Sequence, residues 1–317
     1  MRCNAWFYSF CCVTLVATSL TMVKSEAATV TTTGRDGFGA SSFNSAGIWS
    51  DASAPSAGND YIVDDEDRVR TPADGSSYTF AGDSLEITAV GSGGDLNIAG
   101  LSYKGTGNTG TITVDNLILN GGSINHISGV EDIFNLGGTI DVVSDSIIYA
   151  KQGPINILSP ISGSATITNP GSDGDGRTVT LASSGNTFTG SIVNEGRFAL
   201  ADDAVMNFVV GASGVNNSIS GGGPQTALDG DFVIDLSGAS TNLGDNWGLV
   251  TASSAAYGST FSIAGFTEAG PGIWTSSANG ATYAFETATG SLSVVPEPSS
   301  IMMLCGALTM LGYRKLR

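Results

Sequence analysis

The chain has 317 residues and a formal net charge of −17, long enough for one large domain or two small ones around a substantial core. Charged residues make up only 13% and apolar residues 41%, which excludes a disordered polyelectrolyte and points to a folded chain rich in tight turns. The acidic balance repels nucleic acid and, unless cations intervene, anionic polysaccharide.

Charge and cysteine are unevenly placed. Arg2, Lys24, Arg314, Lys315 and Arg317 lie in the end segments, so the interior is more acidic than the average. Cys3, Cys11, Cys12 and Cys305 also lie at the ends, which leaves the body between them without cysteine and without disulfides.

In chain order, residues 1–27 read as a signal peptide, with Arg2 as the positive start and an apolar stretch from Ala5 to Val23. Ser25-Glu26-Ala27 puts small residues where cleavage needs them, so the cut is expected between Ala27 and Ala28. The alternative is a retained N-terminal membrane anchor.

Residues 28–242 form an all-β body. Short runs rich in Ile, Val, Leu and Thr alternate with polar residues and are punctuated by glycine pairs, as in Thr111-Ile112-Thr113-Val114, Asn116 to Ile124 and Leu136 to Val142. Two architectures compete. A sandwich or barrel expects hairpins every 8–12 residues or so; a parallel β-helix expects short strands in coils of roughly 20 to 30 residues. Gly93-Gly94, Gly121-Gly122 and Gly137-Gly138 recur on the longer scale, which favours the β-helix.

Chemistry-bearing clusters are few. Asp64-Asp65-Glu66-Asp67 and Asp173-Gly174-Asp175-Gly176 are oxygen-rich, and Asp64, Asp65, Asp67, Asp173 and Asp175 are the candidate calcium ligands; solvated acidic loops are the competing reading. His126 is the sole histidine, no Gly-x-Ser-x-Gly elbow occurs, and zinc lacks ligands. His126 therefore reads as a structural or surface residue. A β-helical polysaccharide lyase or glycoside hydrolase is the enzymatic alternative, but no marked constellation of carboxylates or cations supports it.

The segment Thr178 to Leu200 contains Asn186-Thr187-Phe188-Thr189-Gly190 and Asn194-Glu195-Gly196. It resembles a single copy of the autotransporter-associated β-strand repeat, which implies strand, turn, strand, Asn-x-Gly and a further strand in a β-helical setting. Residues 243–295 concentrate aromatics (Trp247, Phe266, Trp274, Tyr283, Phe285) and read as a terminal β cap over the open end of the coils. Trp247 and Trp274 are expected in its core; a sugar-binding platform is the alternative.

Residues 296–317 are the most specific feature. Val295-Pro296-Glu297-Pro298-Ser299 precedes an apolar run from Ile301 to Tyr313 and the basic end Arg314, Lys315 and Arg317. As a helix the run spans about 20 Å at about 1.5 Å per residue, short of the roughly 30 Å hydrocarbon core, and its basic end stays cytoplasmic. An ordinary tail anchor is the plain reading. The arrangement closely resembles the PEP-CTERM sorting signal of Gram-negative bacteria that make exopolysaccharide, although Leu316 interrupts the basic cluster. That resemblance implies an exosortase-type protease that recognises the Pro-Glu-Pro, cuts nearby and delivers the body to the cell surface or matrix. The expectation is a secreted, non-enzymatic structural or adhesive protein with glycan or matrix-protein partners and no nucleic acid. It meets the membrane only through its ends.

Overall fold

The computed structural model describes residues 27–64, 66–88, 99–105, 110–127, 132–171 and 177–297. The signal and tail helices expected at the two ends, and Gly93-Gly94, lie outside the described residues. Those described form strands and turns with no helix, as the runs of β-branched residues require.

Two large sheets are parallel throughout. In the twelve-stranded sheet the main path runs through Ala28–Thr31, Asn59–Val63, Ser84–Thr88, Thr111–Asn120, Phe134–Ser144, Ile155–Ile157, Thr178–Leu181, Arg197–Leu200, Gln225–Leu228 and Ala255–Tyr257. The seven-stranded sheet runs from Arg68–Arg70 through Gly100–Tyr103, Ser123–His126, Ser146–Tyr149, Ile167–Asn169 and Ile192–Asn194 to Ile219–Ser220. Each strand pairs with one from the next pass of the chain, so the sheets grow in step. A short parallel sheet of Val205–Val209, Asp231–Asp235 and Ser262–Ile263 joins them late in the chain. Parallel strands need a crossover between them, which excludes a hairpin-built sandwich for this region and is compatible with the expected β-helix.

Register places like on like. Ile112, Leu136, Ile157, Leu181, Leu200 and Leu228 are successive partners, all buried, as are Val69, Leu101, Ile124 and Ile148 in the second sheet. Burying each such side chain contributes about 1.5–3 kcal/mol. Where the core file reaches a corner, polar side chains take over. Asn169 and Asn194 are partners, fully buried, with Asn169 Nδ2 donating to Asn194 Oδ1 at 2.9 Å and Asn194 Nδ2 to Thr226 Oγ1 at 2.9 Å. The three strands expected within 178–200 are present, and Asn194 Oδ1 accepts the Gly196 amide at 3.1 Å.

Both ends are closed by aromatic clusters, only one of which the sequence pattern suggests. At the start, Thr33 donates to Ile48 O and Ser50 to Thr31 O, each at 2.8 Å, so residues 48–50 cover the outer edge of the first strand. Behind them Trp49 meets Tyr61 edge-on with centroids 4.8 Å apart, and Phe43 and Tyr61 each approach Phe80 at 5.3 Å. At the other end a five-stranded antiparallel sheet contains Asn246–Gly248, Thr267–Gly270, Ile273–Ala278, Ala281–Glu286 and Ser291–Val295. It does not simply follow the parallel body at residue 243. Ala255–Tyr257 and Ser262–Ile263 still pair in parallel, so the last rung and the terminal sheet interleave. The reason is shared packing: Phe232 of the body contacts Phe261 and Phe285.

Gly138 shows how tightly successive rungs stack. Its φ is +96°, and a Cβ there would collide with the Val114 carbonyl oxygen. Gly214, at φ +77°, has open space around it. Gly138→Ala is expected to lower unfolding free energy by about 2–4 kcal/mol, and Gly214→Ala by only about 1 kcal/mol. Denaturant titration checks both; equal losses would show that backbone strain, not rung spacing, sets the cost.

Candidate functional site

The carboxylates on the sheet exteriors occupy a regular position. Ser84 Oγ donates to Asp60 Oδ1 at 2.5 Å, Ser162 Oγ to Asp141 Oδ1 at 2.8 Å and Ser262 Oγ to Asp231 Oδ1 at 2.5 Å. Asn120 Nδ2 donates to Glu86 Oε1 at 2.8 Å while its Oδ1 accepts Ser144 Oγ at 2.7 Å. Each pair joins neighbouring rungs, with sequence separations from 21 (Asp141, Ser162) to 34 (Glu86, Asn120). These acids act as acceptors for the rung above, a use that sequence alone does not disclose because the separation varies.

The first calcium candidate is differently organised. Asp64 Oδ1 accepts Thr32 Oγ1 at 3.2 Å, its carbonyl accepts the Asp67 amide at 2.7 Å, and Asp67 is buried. Glu66 adopts a left-handed φ of 64°. Its carbonyl accepts Arg35 Nε at 2.7 Å and its carboxylate accepts Arg35 Nη2 at 2.9 Å. A guanidinium thus stands beside the acidic turn. Asp65, Asp173 and Asp175 lie outside the described residues. Among the described residues, no group of three or more His, Cys, Asp or Glu side chains is gathered to hold a metal.

His126 is wholly buried at the end of its strand. Nε2 is 2.7 Å from the Asp132 carbonyl oxygen; a carbonyl only accepts, so Nε2 carries the proton. Nδ1 is buried with no hydrogen-bond partner. The ring packs on Tyr103 with centroids 4.8 Å apart, Tyr103 stacks on Phe134 at 4.9 Å, and a Cβ on Gly153 would strike the imidazole. Burial lowers the His126 pKa, with Arg177 adding to that effect and Asp132 opposing it. Burial, then Asp132, pushes the Tyr103 phenol up to about 12. The imidazole is a structural member of the core.

Trp247 is fully buried and donates Nε1–H to Ala212 O at 2.9 Å, which removes it from any sugar platform. Trp274 is partly buried, edge-on to Phe261 at 5.7 Å. Of the processing residues, Ala28 opens the first strand and donates to Gly58 O at 3.3 Å. Val295 closes the final strand, paired with Thr282, and Pro296 and Glu297 are exposed just beyond it. Pro298, Ser299, Arg314, Lys315 and Arg317 lie outside the described residues. No helix among the described residues is long and apolar enough to cross a membrane.

Comparison of the chain with protein-family models, with curated proteins and with solved structures finds no match.

The His126 geometry sets a pH dependence. Its folded pKa lies below the ordinary value, so the unfolded chain takes up the proton first as pH falls through about 6.5. Stability is therefore full above that value and lost below it, at up to about 1.4 kcal/mol per pH unit. The denaturation midpoint should drop between about pH 7.5 and 5.5, and His126→Gln should flatten the slope. An unchanged slope in the variant would assign it elsewhere.

Proposed function

We propose that this is an exported, non-enzymatic structural or adhesive protein of the cell surface or exopolysaccharide matrix, built as a parallel β-helix closed at both ends and sorted by its C-terminal tail. The observation that carries the structural reading is the rung-to-rung use of exterior acids. Asp60, Glu86, Asp141 and Asp231 each hydrogen-bond a neighbouring coil, so groups that general acid–base chemistry would need are engaged in holding coils together. The sorting reading rests on the Pro-Glu-Pro, apolar and basic segments of the tail. It is supported by the exposure of Pro296 and Glu297 directly after the strand Ser291–Val295.

Intact mass of the protein recovered from medium, surface and membrane fractions tests this reading. The expected species begins near Ala28, ends between Pro296 and Ser300, and lies outside the inner membrane. A membrane-bound chain that retains Arg317 overturns the sorting half.

A further inference from the structure

Two tight turns stand where the chain leaves the fold. In Asn242–Asp245 the Asp245 amide donates to Asn242 O at 3.1 Å, with Leu243 at the tip and Gly244 at φ +92°. In Ala212–Val215 the Val215 amide donates to Ala212 O at 2.8 Å, with Gly214 at φ +77°. Both meet the strand Asn246–Gly248. The first runs straight into it. The second is fixed to it by the Gly214 amide donating to Asn246 O at 2.9 Å and the Asn246 amide donating to Ser213 Oγ at 3.2 Å. That strand flanks Ser291–Val295 in antiparallel, and the Gly244 amide donates to Val294 O at 3.2 Å. Leu243 therefore lies at the end of the last strand from which the chain continues into Pro296.

Turns of this kind normally present polar residues. Leu243 is 67% exposed and Val215 60%; Phe38 apart, no large apolar side chain among the described residues is more exposed. Their setting is uncharged. Residues 204–228 and 236–244 contain no Asp, Glu, Lys or Arg, in a chain of net charge −17. The polar residues of the two loops are neutral (Ser213, Asn216, Ser240, Thr241, Asn242), and the carboxylate of Asp245 accepts the Ser240 hydroxyl. Outward aliphatic side chains among neutral hydroxyls and amides suit the headgroup boundary of a bilayer, where the apolar groups enter and the polar rim stays wet. Chain length brings a bilayer within reach. Five residues, 296–300, separate Val295 from the apolar run that begins at Ile301, and five residues span at most about 18 Å.

We propose that this face, with Leu243 and Val215 as its apolar contacts, rests on the lipid bilayer that holds the uncut tail. The contact rests on the reading of the apolar run as a membrane segment and adds the body itself to what touches the membrane. It needs no anionic lipid, which the acidic body repels. Cutting the tail releases it, because two short aliphatic side chains hold less than a single acyl chain, itself only a marginal anchor. A second copy fits less well: two apolar side chains fall far short of the roughly 20–30 residues a side of a stable interface.

The test places tryptophan at the face in the full-length protein, reconstituted in phosphatidylcholine vesicles with and without brominated acyl chains, with the unsubstituted protein as baseline. Leu243→Trp should be quenched by the brominated chains and its emission shifted to the blue. Val215→Trp reports the same face should the first substitution disturb its turn. Phe38→Trp, as exposed but in the loop at the opposite closure, should be unquenched. Absence of quenching at both Leu243→Trp and Val215→Trp, or equal quenching at Phe38→Trp, overturns the contact. Emission from Leu243→Trp that shifts with protein concentration in the absence of vesicles assigns the face to a second copy and overturns it too. Flotation separates the two readings. Vesicles that float without the protein sink the tail reading and the contact with it; vesicles that carry an unquenched protein sink the contact alone.

Discussion

Everything in this molecule depends on parallel, in-register hydrogen bonding between successive passes of the chain. Because side chains alternate faces with a period of two, a strand that pairs in register with the one below must repeat its inward and outward positions. The file Leu136, Ile157, Leu181, Leu200 and Leu228 is the inward result, and the pairs Asp60–Ser84, Asp141–Ser162 and Asp231–Ser262 are outward ones. A slip of one residue in any rung would exchange the two sets. The buried Asn169–Asn194 pair guards against that slip, because its amides find partners only in this alignment.

Stacked parallel strands leave an unpaired edge at each end, and the two ends solve that problem differently. At the first strand a loop turns back, supplies Ser50 and Ile48 as backbone partners, and pushes Phe43 and Trp49 against Tyr61 and Phe80. At the last rung the chain switches to an antiparallel sheet whose Phe285 packs on Phe232. Edge-to-face pairs of this kind are worth about 0.5–1.5 kcal/mol each beyond their buried area, so each closure is a small core of its own.

The fold class was legible because β-branched runs and glycine punctuation are local signals. Thr111-Ile112-Thr113-Val114 and Asn116 to Ile124 read as two runs; the structure joins the first to Asn116–Asn120 in Thr111–Asn120, with a pairing irregularity between Val114 and Leu117, and puts Ser123 and Ile124 in a strand of the other sheet. The N-terminal closure was not legible. Phe43 and Trp49 sit among Gly, Ser and Ala with no alternation around them, and only Tyr61 and Phe80, from later rungs, give them a reason to be buried. The exterior pairings were hidden for a related reason: rung lengths vary, so no fixed spacing links Asp141 to Ser162 and Asp231 to Ser262. His126 was readable as unreactive from its isolation, but its neutral tautomer required the Asp132 carbonyl.

The final strand, Ser291–Val295, lies between Asn246–Gly248 on one side and Ala281–Glu286 on the other, antiparallel to both. A force applied at residue 295 along the strand axis acts parallel to that strand. Its hydrogen bonds on both flanks are then loaded together, in shear, instead of parting one at a time as in a peeled hairpin. Ser291–Val295 is thus clamped on both flanks at once.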